Sequence, residues 1–351
     1  MRVLVAMSGG VDSSVAAARL MAAGHDVVGV TMKLWGGESD TGCCSVSDVD
    51  DARRVAQQLG IAHHTWTFSG DFDRQVVDPY VDAHRRGITP NPCIECNRHL
   101  KFDRLLRRAH AVGFDTVATG HHARIVTRPD GTRRLARGAD AAKDQSYVLY
   151  VLGQAELSRT LLPVGEMTKA EVRAEAQALG LRTAGKPDSQ DVCFITSSRG
   201  RLGFLGRRID LRPGRVMDEA GRDVGSVDAV ELVTVGQRRG LGLPGGGAPR
   251  YVVDVDILAA TVRVGPEDDL LCEQVSLERV VWSAGPPVGA RGPSMVAQCS
   301  AHGPPRPARV APVGNDRAVV EFDRRERRVA RGQSVVLYEG NEVIGGGIVA
   351  A

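Results

Sequence analysis

The first half of the chain alternates two apolar rhythms. Val3-Leu4-Val5-Ala6 opens a strand over 2–7, which feeds a helix over 12–23 that stops at Gly24. Val27 to Leu34 is a second apolar run, Ala62 to Phe68 a third, and Asp115 to Thr119 a fourth that ends in Gly120-His121-His122. Helical stretches lie between them. Ser47 with Asp50 three residues on marks a helix start that Gly60 closes. Asp71 to Arg86 and His99 to Val112 read as helices, and Thr168 with Glu171 caps another that ends at Gly180. This succession predicts an α/β fold, a Rossmann-like parallel sheet wrapped by helices. Ligands of such sheets bind beyond the carboxyl ends of the strands. Met7-Ser8, Met32 and Gly120 all fall there.

From about residue 205 the rhythm changes to short alternating segments separated by Gly, Pro and Asp: Arg215 to Met217, Tyr251 to Ile257, Thr261 to Val264, Ala318 to Phe322 and Ser334 to Tyr338. Residues 218–222 and 339–342 read as hairpin turns, and the Gly/Pro-rich stretch 240–249 as a mobile loop. Gly285-Pro286-Pro287 lies near the start of a last unit whose short strands suit a small barrel. The expected division is an α/β domain over 1–204, a small β-rich central domain over 205–272 and a C-terminal β-barrel over 273–351.

Composition narrows the setting. With 42% hydrophobic and 25% charged residues, the 351-residue chain has a soluble globular balance. No apolar run approaches the roughly 20 residues of a membrane span, and the first residues do not read as a signal peptide. A cytoplasmic protein with no membrane partner is expected. Seven cysteines, an odd number, then argue for thiol chemistry over a disulfide framework. A net charge of +3 does not announce nucleic acid by itself, but arginines crowd 199–215 and again 324–331. The first run suits phosphates and the second a solvated face. Aromatics at 4% exclude a long base-stacking platform.

Two stretches carry candidate chemistry. Met7-Ser-Gly-Gly-Val-Asp-Ser-Ser14 follows the first strand and enters a helix from about Ser13. Its glycines let backbone N–H groups approach an anion, and the helix start adds donors and a positive dipole end. It lacks the Gly-Lys-[Ser/Thr] ending of a Walker loop. Asp12 could position Mg²⁺ or cap the helix. Cys93 and Cys96 lie in Thr89-Pro-Asn-Pro-Cys-Ile-Glu-Cys-Asn-Arg98. The prolines predict an extended loop before a helix beginning near Arg98, which puts Cys96 where a helix dipole lowers a thiol pKa. A Cys-x-x-Cys pair is also half of a zinc site, which His63-His64 or His121-His122 could complete. Cys193, in Lys186-Pro-Asp-Ser-Gln-Asp-Val-Cys-Phe-Ile195, is either a core cysteine or a thiol on a loop near a site. His121 could touch substrate or be a satisfied surface residue. Cys43, Cys44, Cys272 and Cys299 receive no role.

The Ser-Gly-Gly-Xaa-Asp-Ser order resembles the pyrophosphate loop of N-type ATP pyrophosphatases, which adenylate an oxygen of a second substrate. The resemblance becomes close with Val30-Thr-Met-Lys33, the Asn-Pro-Cys-x-x-Cys-Asn-Arg loop, Ala118-Thr-Gly-His121, Lys143-Asp-Gln-Ser-Tyr147, Asp188-Ser189 with Cys193-Phe194, Gly236-Gln-Arg-x-Gly-Leu-Gly242 and Gly332-Gln333. In this order they resemble the bacterial tRNA-specific 2-thiouridylases over nearly the full chain. That family replaces O2 of the wobble uridine of certain tRNAs with sulfur. The resemblance implies that Ala6, Met7, Ser8, Gly9, Gly10, Val11, Asp12, Ser13 and Met32 bind ATP, with Gly120 at the rim. It implies that Cys96 is the nucleophile and Cys193 the persulfide carrier, the two forming a disulfide during turnover. It further implies that Asn91, Pro92 and Cys93 face the target base and that His121, Lys143, Asp144, Gln145 and Gln333 touch tRNA. ATP with Mg²⁺ would be consumed and no permanent cofactor or resident metal is called for. The partners would be tRNA and a persulfide-donating sulfurtransferase or relay protein. Two departures stand out. Some members have Asp at the Cys93 position, where a general base is assigned. Many carry a basic–aromatic pair where this chain reads Ala301-His302-Gly303. The competing readings are a pyrophosphatase that makes an amide or another small molecule, and a zinc-stabilised tRNA-binding protein without catalysis.

Overall fold

The computed structural model describes residues 1–35, 45–188, 192–195, 200–245, 247–287 and 295–350. The expected positions Cys43, Cys44, Ser189 and Arg199 lie outside them.

The N-terminal sheet is parallel throughout. Its strands are β1 (Arg2–Ala6), β2 (Asp26–Lys33), β3 (His63–Thr67), β4 (Thr116–Thr119) and, later in the chain, β7 (Thr160–Leu161), in the order β3-β2-β1-β4-β7. The chain winds one way from β1 through β2 to β3, then returns to place β4 on the other side. The order therefore reverses between β1 and β4, and a crevice opens there beyond the carboxyl ends. Helix α1 (Val11–Ala22) packs its Val15, Ala16, Ala17 and Leu20 against one face, together with Val55 and Ala56 of α2 (Val46–Leu59). The α2 start differs from the sequence expectation. Ser45, not Ser47, is the cap, accepting from the Asp48 N–H at 3.1 Å, while Gly60 ends the helix in a left-handed conformation.

Two helices contain wide turns that apolar periodicity does not reveal. Helix α3 runs as α-helix Ser69–Phe72, π-helix Asp73–Val77 and α-helix Asp78–Arg85. Pro79 has no N–H to donate back along this ladder, and the wide turn lies directly before it. Helix α4 runs as α-helix Pro92–Cys96, π-helix Asn97–Arg104 and α-helix Leu105–Ala111.

Residues 123–137 form a hairpin that sequence reading missed, β5 (Ala123–Thr127) and β6 (Arg133–Arg137). Its sheet is not the N-terminal one. β6 pairs with the last strand of the C-terminal barrel, Ala136 opposite Glu342. The central unit is a four-stranded sheet, β8 (Gly214–Met217), β9 (Asp223–Val227), β10 (Tyr251–Asp256) and β11 (Thr261–Gly265), in the order β10-β11-β8-β9. The barrel comprises β12 (Leu271–Trp282), β13 (Met295–Gln298), β14 (Arg306–Val313), β15 (Arg317–Arg327), β16 (Ser334–Glu339) and β17 (Glu342–Val349), closed by pairing of β12 with β17. The turns expected at 218–222 and 339–342 join β8 to β9 and β16 to β17.

The barrel and the N-terminal unit share a core. Ile94, Phe102, Leu135, Tyr147 and Tyr150 pack with Val336, Tyr338 and Val343. Tyr147 donates to the Ser334 carbonyl at 2.8 Å, and the Arg137 guanidinium lies 3.8 Å from the Tyr338 ring centre. Arg128 and Arg134 pair with Glu339 and Glu342.

Candidate active site

At the switch point, β1 ends in the glycine loop. Met7 donates its N–H to Val30 and its carbonyl accepts the Thr31 hydroxyl at 2.8 Å, fixing the strand end. Gly9 has φ +72, and a Cβ there would strike the Asp48 carbonyl of α2. Gly10 caps α1, and its carbonyl accepts the hydroxyls of Ser13 (3.1 Å) and Ser14 (2.8 Å), while Ser8 N–H donates to Ser13 Oγ at 3.2 Å. The helix starts at Val11, two residues before the expected Ser13. The first-turn N–H groups, which a helix cannot satisfy internally, therefore open directly on the loop. Across the crevice, Gly120 ends β4. A Cβ there would sit 2.5 Å from Ser13 N and 2.7 Å from Asp12 C. Only glycine lets β4 meet the start of α1 this closely.

Asp12 neither caps the helix nor stands alone. Both its oxygens accept Lys169 Nζ at 2.8 Å, and Oδ1 meets His122 Nε2 at 3.0 Å. Burial raises its pKa, but the His122 and Lys169 hydrogen bonds outweigh that and hold it below the ordinary carboxylate range. Lys169 also pairs with Asp188 at 2.9 Å, and Asp188 with Lys143 (2.7 Å) and Arg173 (2.9 Å). A chain of alternating charges thus joins the glycine loop to the segment leading to Cys193. From sequence Lys169 receives no role, His122 is weighed only as a substrate contact or a zinc ligand, and Asp188 enters only as part of a motif. One signal was present: Lys169 opens its helix (α5, Lys169–Ala178) behind the Thr168 cap, against the dipole, where a lysine is misplaced unless it has an acidic partner.

The thiol helix corrects the sequence expectation. Asn91 caps α4 by accepting the Cys93 N–H at 3.1 Å, and Pro92 occupies the first turn, where its missing N–H costs nothing. The helix therefore begins six residues before the expected Arg98. Cys93 occupies the dipole end, and Cys96 lies one turn in. Successive residues of α4 face different partners. Ile94 enters the core shared with the barrel, while Cys96 and Leu100 enter the core of the N-terminal unit. That second core also holds Met32 and Phe194, with Ala6 and Cys193 packed against it. Phe194 is wedged among Trp35, Phe72, Tyr80 and Phe204 with ring centres 5.0–6.2 Å apart. Ala6 and Met32 at the sheet ends and the two thiols Cys96 and Cys193 thereby share one apolar cluster.

The loop before α4 is a junction of all three units. Thr89 N–H donates to the Arg331 carbonyl at 3.0 Å, its carbonyl accepts Gln333 Nε2 at 2.6 Å, and its hydroxyl meets that of Thr234 at 3.0 Å. Gly87 abuts Ile257 so closely that a Cβ would lie 2.7 Å from its side chain. Gln333 thus engages the protein's own backbone.

The other expected tRNA contacts divide. Asp144 is buried and spent internally, accepting from Arg137 (3.0 Å), Gly138 N–H (3.0 Å) and the Ser146 hydroxyl (2.8 Å). Gln145 Oε1 accepts the His122 N–H at 2.9 Å. His121 Nδ1 meets the Thr119 hydroxyl at 2.7 Å, and its ring centre lies 5.8 Å from that of Phe102 on α4. Burial, with Lys101 and His122 adding repulsion, holds its imidazole neutral. In the basic run, Arg212 pairs with Glu231 at 2.9 Å and Arg208 stacks over Phe204 at 4.0 Å, so these two serve the fold. For the zinc alternative, His63 instead meets Thr31 Oγ1 at 2.9 Å, and no three His, Cys, Asp or Glu side chains converge as a metal site among the described residues. No helix among the described residues is long and apolar enough to cross a membrane.

Comparison with known proteins bears on the whole chain. Residues 1–197 match the family of the tRNA methyl transferase HUP domain, 203–266 that of the tRNA methyl transferase PRC-barrel domain and 273–349 that of the aminomethyltransferase β-barrel domain. The tRNA-specific 2-thiouridylase MnmA of Beutenbergia cavernae is 48% identical over 364 residues, covering 100% of this chain and 95% of that protein. The proteins of the same name from Mycolicibacterium smegmatis (48% over 357 residues, 98% of each chain) and Roseiflexus castenholzii (45% over 369 residues, 99% of each) match as fully. With a glycine loop at the switch point, two thiols in the adjoining core and relatives of this identity along its whole length, the chain belongs to the tRNA-specific 2-thiouridylase family.

Proposed function

We propose that the protein replaces O2 of the wobble uridine of tRNA with sulfur at the expense of ATP, adenylating the oxygen and transferring sulfur from a persulfide on Cys193. The observation that carries this reading is the single apolar cluster joining Ala6 and Met32 at the sheet ends to Cys96 and Cys193. That shared cluster supports a reading in which activation by ATP and delivery of sulfur act on the same base.

The uridine oxygen is a poor leaving group. Its attack on the α-phosphorus of ATP expels pyrophosphate and makes it part of AMP, a good one. The N–H groups of the Gly9-Gly10 loop and the first turn of α1 stabilise charge on the departing pyrophosphate. Mg²⁺ brought with ATP would supply further charge neutralisation, while Asp12, whose oxygens accept Lys169, holds that ammonium beside the loop. The terminal sulfur of the Cys193 persulfide then attacks C2 and AMP leaves, with the base joined to Cys193 through two sulfurs. Cys96 thiolate attacks the Cys193 sulfur. The S–S bond to the base breaks, its electron pair stays on the base sulfur, and a Cys96–Cys193 disulfide forms. An external thiol reductant restores both cysteines, and a persulfide-donating sulfurtransferase or relay protein reloads Cys193. Asn91, Pro92, Cys93, His121, Lys143 and Gln145 are the residues proposed to meet the extruded base and the anticodon stem. Asp144 and Gln333, bonded within the protein, would act by holding their neighbours in place.

Cys93 occupies the position where an Asp serves some members as general base. Cys93 lies in the first turn of α4, and the proposed reaction does not assign it the proton that the Asp would take.

The test is incubation of protein, ATP–Mg²⁺, a protein persulfide donor and unmodified tRNA, with thionucleoside read by mass spectrometry and AMP and pyrophosphate measured alongside. Wild type should form one thiouridine per AMP. Cys193→Ser should make none. Full thiolation by Cys193→Ser contradicts the assignment.

A further inference from the structure

Between the two cysteines of α4 lies a carboxylate that the reaction does not use. Glu95 is largely buried, and Oε2 is met by Arg279 at 3.0 Å, Arg98 at 3.8 Å and the His99 ring Nε2 at 3.1 Å. His99 and Arg98 belong to the same helix. Arg279 comes from β12 of the barrel, 184 residues away in sequence.

Arg279 sits in a costly backbone. Its φ is +52, one of two non-glycine residues in the left-handed region among those described, and it lies where the β12–β17 register shifts between Glu278 and Val281. An arginine held this way needs a compensating contact, because a glycine would adopt the conformation without penalty. The contact it makes is Glu95.

The position of Glu95 on the helix gives that contact its consequence. Ile94 faces the barrel core and Cys96 faces the core containing Cys193. Glu95, between them, is the third face. Two apolar faces tolerate some rotation, whereas a charge-assisted hydrogen bond on the third does not. The π-helical turns beginning at Asn97 make this end of the helix the one that needs such a stop.

We infer that Arg279 is a positioning residue for sulfur transfer: through Glu95 it fixes the rotation of α4 and so the direction in which Cys96 meets Cys193. This rests on the proposed roles of the two thiols.

The experiment uses the full-length protein and three variants, Arg279→Gly, Glu95→Gln and the double variant. Glycine suits the left-handed backbone, so Arg279→Gly removes the contact without straining the bulge. Two rates are measured: formation of the Cys96–Cys193 disulfide in tRNA-free protein on addition of diamide, which takes up the two electrons, and thiouridine formation in single turnover. Each single variant should slow both by roughly tenfold. ATP-driven AMP release on tRNA and tRNA affinity should stay unchanged, Tm should fall only modestly, and Arg279→Lys should recover part of the lost rate. The double variant should be no slower than either single one, since all remove the same contact. Unchanged disulfide rates in the variants, additive losses in the double variant, or a loss confined to tRNA affinity would each overturn the inference. The thiol assignment is read separately in wild type. If diamide forms no Cys96–Cys193 disulfide there and Cys193→Ser still thiolates, that premise fails and takes the inference with it.

Discussion

The glycine loop and the thiol helix both belong to the N-terminal unit and are built in opposite ways. The loop takes its shape from contiguous residues: a strand, the left-handed Gly9, and Ser13 and Ser14 turned back onto the Gly10 carbonyl. The thiol helix is placed from a distance. Its leading loop is held by Arg331 and Gln333 of the barrel and Thr234 of the central unit. Its side chains are held by the Val148 carbonyl, which accepts Asn97 Nδ2 at 3.0 Å, and by Arg279. In the proposed reaction, nucleotide binding would rest on a local motif and sulfur delivery on the assembly of three units. The two functions should therefore fail separately.

The largest expected effect is at the loop. Gly120→Val forces a branched side chain into the backbone of Ser13 and Asp12. ATP-dependent AMP release should fall by on the order of a hundredfold or more, with a loss of about 1–3 kcal/mol in denaturant stability. Gly9→Val, driven into the Asp48 carbonyl at positive φ, should do the same. If either keeps full ATP turnover, the crevice is not where the nucleotide sits.

Next is the helix start. Asn91→Ala removes the cap, worth about 1 kcal/mol. Thiouridine formation should drop several-fold while the KM for ATP holds. A parallel rise in that KM would show that the two regions are one mechanical unit.

Smaller again is the barrel tether. Gln333→Ala removes one hydrogen bond to Thr89, about 1 kcal/mol at most. It should slow thiolation by a fewfold with tRNA affinity nearly unchanged in a filter-binding assay. A large loss of affinity would restore Gln333 to direct tRNA contact.

The smallest effect is one of pH. Burial lowers the pKa of His63, His84 and His121 in the folded chain. Each therefore binds fewer protons folded than unfolded near its ordinary pKa. Their contribution to stability is complete above about pH 6.5 and declines as the pH falls below it. Asp12 and Asp188 have depressed pKa values, so theirs persists until the pH falls below about 4. Tm followed from pH 8 to 3 should drop in two stages, and His84→Gln should shrink the first. A single drop near pH 4 would show that the histidines contribute nothing.

The same contrast explains what could be read from sequence. The parallel sheet, its strand ends and the glycine loop were legible because short apolar runs, glycines and serines act on their immediate neighbours. Cys96 and Cys193 were legible as chemistry, but their placement was not. The helix begins at Pro92, not Arg98, because Asn91 caps it and a first-turn proline costs no hydrogen bond, whereas two prolines in sequence equally suit an extended loop. The hairpin 123–137 pairs locally across Asp130-Gly131, but its strands are short and rich in arginine, and their attachment to β17, about 200 residues on, carries no local signal. Lys169, Asp188, Glu95 and Arg279 acquire meaning only from partners brought close by folding. Asp144 and Gln333 show the converse, being expected at a substrate surface and found bonded within the protein.

The central claim is that sulfur leaves Cys193 only as Cys96 closes onto it. It is tested most directly by loading Cys193 with persulfide and running one turnover on unmodified tRNA with ATP–Mg²⁺ and no reductant. Thiouridine and the Cys96–Cys193 disulfide are then counted by mass spectrometry. One disulfide per thiouridine, absent when ATP is withheld, is the predicted result. Thiouridine accumulating while both cysteines remain thiols would contradict it.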